Sequence, residues 1–158
     1  MTGVLYIVAT PIGNLNDISL RAIEILKQVD VIAAEDTRST RKLMEIHGIS
    51  IGNRPMVAYH DHSTASVRDR LLAVVKDGKS LAYVSEAGTP LVADPGYKLG
   101  VDMRAAGLPL TAAPGASAVL AALTVSGLPE DAVTVAVLLA KCQTARPRGP
   151  RHPTHLQA

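Results

Sequence analysis

The sequence has no Phe and no Trp, and Tyr is its only aromatic, present four times. Recognition of nucleic acid by rows of stacked aromatic side chains is therefore not expected. There is one cysteine, Cys142, so the chain cannot form an internal disulfide or build a cysteine zinc cluster, and it suits a reducing, cytoplasmic compartment. No apolar run is long enough to span a bilayer, so no membrane association is expected. The opening Met1-Thr2-Gly3-Val4-Leu5-Tyr6 lacks the basic and apolar regions of a secretory signal, and none is expected. Hydrophobic residues make up 47% of the 158 and charged residues 19%, which excludes a disordered polar chain.

Acid is absent from the last eighteen residues, which hold Lys141, Arg146, Arg148 and Arg151. The formal net charge of +2 is thus a tail of +4 on a body of −2. The tail also carries Pro147, Pro150 and Pro153, and its composition predicts disorder over 140–158. Two readings remain open for it: a basic segment that neutralises RNA phosphates, or a segment without a role, outside the natural reading frame.

The body repeats one pattern. Short apolar runs, Leu5–Ala9, Val31–Ala34, Met56–Tyr59, Leu81–Val84 and Leu110–Ala113, each end in a breaker or polar cluster and lead into a segment with helical spacing. The first helix takes its N-cap from Asp17 or Ser19; Ser66-Val67-Arg68-Asp69 reads as a capping box; Ala118–Ser126 reads as a helix. Five strand–helix units predict an α/β fold, a mostly parallel five-stranded sheet flanked by helices over residues 1–113. Residues 114–139 would begin a second lobe. In such sheets ligands bind at the carboxyl ends of the strands, and every cluster of interest sits there.

Gly78-Lys79-Ser80 imitates the end of a phosphate-binding loop, but Ala73 stands where the first glycine is required and the segment leads into a strand. His60 and His62, two apart on a strand end, would face opposite ways, which argues against a metal pair. Thr10-Pro11-Ile12-Gly13-Asn14 is either an ordinary turn or a ligand loop whose Gly13 permits close approach. Glu35-Asp36-Thr37-Arg38 offers two carboxylates at a strand-to-helix junction, where Asp36 could equally be a helix cap. Ser85 to Gly96 holds two Pro and two Gly in twelve residues, exposing backbone donors and acceptors suited to a ligand with an amino-acid moiety.

Val8–Leu15, Ala34–Arg38, Ser85–Pro90, Asp94–Gly96 and Pro114–Ala118, in that order and spacing, resemble the tetrapyrrole-methylase class of S-adenosylmethionine enzymes. Within it they resemble the small-subunit ribosomal RNA methyltransferases, over about residues 4–130. The resemblance implies a two-lobed enzyme that moves a methyl group to the ribose 2′-hydroxyl of a cytidine in small-subunit ribosomal RNA, with the small ribosomal subunit as substrate and a homodimer as assembly. It implies S-adenosylmethionine contacts from Pro11, Gly13, Glu86, Ala87, Gly88, Thr89, Pro90, Ser117 and Ala118, with Glu35 and Asp36 as candidate general bases. Glu86 stands where the family usually has Asp. From Ala132 onward the likeness stops, which reads as a shifted frame or truncated copy that catalyses poorly for want of its second lobe. The alternatives are a methylase of a tetrapyrrole or other small substrate, and a non-catalytic first-lobe fragment.

Overall fold

A computed structural model describes residues 3–91 and 96–127. Its five strands are β1 (Val4–Val8), β2 (Val31–Ala34), β3 (Met56–Ala58), β4 (Ser80–Val84) and β5 (Leu110–Ala113). They form one sheet in the order β3-β2-β4-β1-β5, and all four pairings are parallel. The helices are α1 (Leu20–Gln28), α2 (Thr37–Ile46), α3 (Ala65–Lys76), α4 (Gly96–Ala105) and α5 (Ala118–Ser126). The α/β sheet expected from the repeated units is present. The basic tail lies outside the described residues.

Alternation along the strands divides the core in two. Val8, Ile32, Ala82 and Val84 face α1 and α2, where Ala22, Leu26, Leu43 and Met44 complete one cluster. Leu5, Ile7, Val31, Ala33, Leu81 and Tyr83 face the other way, onto Leu71 and Val75 of α3 and Leu99 and Met103 of α4. With both faces covered, β2 and β4 are apolar at nearly every position, which is why they read as continuous runs and not as alternating ones.

The connections through α1 and α2 carry the chain from β1 toward one edge, and those through α3 and α4 carry it back past β1 to the other. The connections after β2 and β4, neighbours inside the sheet, leave on opposite faces toward opposite edges. That is the topological switch point, where the loops after two adjacent strands part and leave a crevice at their carboxyl ends.

Two local expectations are corrected. Ser66 caps nothing: α3 starts two residues earlier than that box would place it, behind Thr64, and the two hydroxyls face each other at 3.1 Å, so neither serves the helix's first N–H groups as a box would. His60 and His62 do not splay from a strand, because β3 ends at Ala58. They lie in the following turn with ring centroids 6.1 Å apart, and the His62 N–H donates to His60 Nδ1. Of the two caps offered for α1, Ser19 is used, its hydroxyl accepting from the Ala22 N–H.

Arg54 ties the α1–β2 junction to the loop before β3. Its guanidinium donates to the carbonyls of Leu26 (2.6 Å), Val29 (3.1 Å), Ile51 (3.0 Å) and Ser50. Two of these are carbonyls at the end of α1, which have no partner inside the helix. Arg54→Met keeps much of the stem and strands these acceptors; it is expected to cost roughly 2 kcal/mol or more in urea unfolding.

Candidate functional site

Beside the switch point the loops after β1 and β4 are locked together. The Thr10 N–H donates to the Gly88 carbonyl (2.9 Å) and the Gly88 N–H returns to the Thr10 carbonyl (3.1 Å), an isolated antiparallel bridge beyond the parallel strands. Ser85 Oγ donates to the same Gly88 carbonyl at 2.9 Å, and Thr10 Oγ1 donates to the Ser85 carbonyl at 3.3 Å. Thr10 and Ser85 are each only 3% exposed, so these bonds are made in a low-dielectric setting where an unmade partner is costly. Gly88 reverses the chain with φ +79°, a conformation that disfavours residues bearing a Cβ.

In front of this lock lies a cavity of about 370 Å³, within the range typical of small-molecule sites. Pro11, Ile12, Gly13 and Leu15 form one wall, Ser85, Glu86 and Ala87 the second, and Ser39, Thr40, Lys42 and Leu43 of α2 the third. The first wall is steadied from outside by His47, whose Nε2 lies 2.9 Å from the Leu15 carbonyl oxygen.

Of the nine positions assigned to the cofactor, Pro11, Gly13, Glu86 and Ala87 line this cavity directly. Gly88 and Thr89 back the loop that forms the second wall, Thr89 Oγ1 donating to the Ala116 carbonyl at 3.0 Å. Pro90 is buried behind them. Ser117 is the N-cap of α5, its Oγ accepting from the Leu120 N–H, and Ala118 is that helix's first residue; neither lines the cavity.

The two candidate bases are held by structural bonds. Glu35 Oε2 accepts the Glu86 N–H at 3.0 Å, tying β2's end to the β4 loop. Asp36 Oδ1 accepts the N–H groups of Arg38 (2.7 Å) and Ser39 (3.2 Å) as the N-cap of α2, and its other oxygen is 3.6 Å from Arg38 Nη2. The Ser39 and Arg38 N–H groups, with the Arg38 charge, hold the Asp36 carboxyl below the usual carboxylate range. No group of three His, Cys, Asp or Glu able to hold a metal occurs among the described residues.

Sequence reasoning missed Ser39, Thr40 and Lys42 as cavity residues and passed over Thr10 and Ser85 as the pair that fixes its back. The signal for the latter existed: each is the first hydroxyl after a buried apolar run.

These features define a class. The sequence profile of the tetrapyrrole (corrin/porphyrin) methylases matches residues 4–157, and the chain belongs to that family. Its fold is shared by uroporphyrin-III-C-methyltransferase from Thermus thermophilus, with TM-score 0.59 and 23% identity over 82% of this chain and 55% of that one. Diphthine synthase is similar at TM-score 0.61 and 19% identity, over 81% and 50%. More similar in sequence are proteins named ribosomal RNA small subunit methyltransferase I. That of Xylella fastidiosa is 50% identical over 91% of this chain and 52% of its own length. That of Escherichia coli O157:H7 is 50% identical over 82% and 44%. The chain spans about half the length of the curated relatives it matches. Among the described residues, no helix is long and apolar enough to cross a membrane.

Proposed function

We propose that this lobe binds S-adenosylmethionine, and that the protein it represents transfers the methyl group to the ribose 2′-hydroxyl of a cytidine in small-subunit ribosomal RNA, as a cytoplasmic homodimer. The observation that carries this reading is the 50% identity to methyltransferases of that name, together with a cavity lined by the motifs that carry the resemblance. The residues fit the cofactor. The cavity has the volume of a small-molecule site, and Gly13 and Ala87 on its walls leave little side chain between backbone and ligand. S-adenosylmethionine supplies an already activated methyl group. What is left to the protein is alignment of donor and acceptor and removal of one hydroxyl proton. The backbone of Pro11–Gly13 and of Glu86–Ala87 would hold the cofactor, with the Glu86 carboxylate available to its ammonium group. Glu35 and Asp36 are proposed for the proton.

Calorimetry with S-adenosylmethionine tests the binding. Transfer of labelled methyl to small subunits from a strain lacking the modification tests the reaction, run with this chain and with a version extended by the relatives' remaining residues. Glu35→Gln and Asp36→Asn in the extended protein should leave cofactor affinity within a few-fold. The base among them should lose on the order of a hundredfold or more in single-turnover rate. An extended protein that binds cofactor but methylates no ribosomal RNA would end the substrate assignment. A chain that binds cofactor yet works only when extended is a first-lobe fragment.

A further inference from the structure

Helix α2 carries its charges backwards. A helix N-terminus favours acids and a C-terminus favours bases, because the peptide dipoles add along the axis. Three other helices obey at their C-terminal ends, where Lys27 closes α1, Lys76 closes α3 and Arg104 closes α4, although each carries a single base in its first turn, Arg21, Arg68 and Lys98. In α2 Arg38, Arg41 and Lys42 take three of the first six positions, no base lies in the last turn, and Glu45 sits there instead. Asp36 offsets part of this as the cap, but it pairs only with Arg38. Among the described residues neither Arg41 nor Lys42 has an ion-pair partner. A local rule broken without an internal compensation points outward, to a ligand.

The place is informative. Because α2 starts at the carboxyl end of β2, its reversed charges stand on the ligand edge of the sheet. Lys42 lines the cavity at the switch point, Arg41 lines a second cavity of about 400 Å³ on the helix's other flank, and the Arg38 side chain is 92% exposed at the rim. The three cations make a ridge between two hollows, spaced along about one turn of helix. We infer that this ridge docks the phosphate backbone of the RNA strand whose reacting nucleotide enters the crevice. The inference rests on the proposed RNA substrate and assigns the surface that receives it. A polyanion is the ligand that matches three exposed like charges, and it needs none of the stacking aromatics the sequence lacks.

The test uses the 158-residue chain and a short fluorescein-labelled single-stranded RNA, with anisotropy measured across a salt series. Wild-type chain should bind with a steep salt dependence. Arg38→Gln/Arg41→Gln/Lys42→Gln should lower the magnitude of the log–log slope by about 2 and weaken binding about tenfold near 0.1 M salt. A control with the same charge change at the opposite edge, Lys76→Gln/Lys79→Gln/Arg104→Gln, should leave the slope nearly unchanged. Removing cations from the start of α2 should not lower its melting temperature, so lost binding with an intact melt excludes unfolding. Equal slopes for the ridge variant and wild type, equal losses in both variants, or no RNA binding by wild type would each overturn the assignment. S-adenosylmethionine affinity, measured on wild type in the same preparation, reports separately on the proposed cofactor site.

Discussion

Gly88→Val is expected to weaken S-adenosylmethionine binding at least a hundredfold, which corresponds to about 2.7 kcal/mol. Two causes act together. With φ +79°, residue 88 sits in the left-handed region, where a β-branched side chain is strongly disfavoured. Its Cβ would also meet Ile12 Cγ2 at 3.3 Å and the Ala116 carbonyl oxygen at 3.8 Å, pressing on the first wall of the cavity and on the segment that Thr89 holds. Gly88 cannot shift freely, because both its N–H and its carbonyl are bonded to Thr10 and the carbonyl also accepts from Ser85. Gly88→Asn separates the causes. Asn tolerates the left-handed conformation, so its fold should melt close to wild type while cofactor binding still falls. Calorimetry showing wild-type affinity in the Asn variant would remove this loop from the site.

The same stretch shows what was legible in the sequence and what was not. Parallel strand–helix units and the carboxyl-edge location of the motifs follow from local pattern, because a parallel sheet puts every strand end on one side; that Pro11 and Gly13 meet Glu86 and Ala87 depends in addition on β1 and β4 being neighbours. Strand order does not follow. Nothing in the spacing says that β4 lies between β1 and β2, so the crevice between β2 and β4 could not be located beforehand. Nor does side-chain duty follow. Glu35 and Asp36 are adjacent carboxylates in sequence, yet one bonds the amide of Glu86, fifty-one residues away, and the other turns back on its own helix. The misread capping box at Ser66 has the same origin: a four-residue pattern cannot tell which hydroxyl the first turn will use, and here Thr64 and Ser66 bond each other. The charge reversal of α2 was in the sequence throughout, but it acquires meaning only when the helix's start is placed beside the cavity.

Gly96 carries the second large effect, and it is a packing effect, although the sequence groups this glycine with the ligand motifs. Asp94 and Pro95 lie outside the described residues, whereas Gly96 opens α4 and is buried. An ideal Cβ there would fall 2.2 Å from Tyr83 Cε1 and 2.7 Å from Leu91 Cδ2, distances that real contacts do not reach. Tyr83 cannot swing aside. It is fully buried in the central strand β4, with its ring set edge-on to Tyr59 at 5.9 Å between centroids and 82° between planes. Its strand is hydrogen-bonded on both sides, to β1 and to β2. Gly96→Ala must therefore push α4 off the sheet, at a cost of about 3 kcal/mol, and lower the melting temperature by on the order of 10 °C. The clash has one main partner, so it should couple. Tyr83→Leu alone loses buried aromatic packing, but in the Gly96→Ala background it also relieves the contact. The double variant should then be more stable than the sum of the single losses by about 1 kcal/mol or more. Strict additivity in urea unfolding would show that Gly96 is not fixed by the Tyr83 ring, and would return it to the ligand loop where its sequence neighbours placed it.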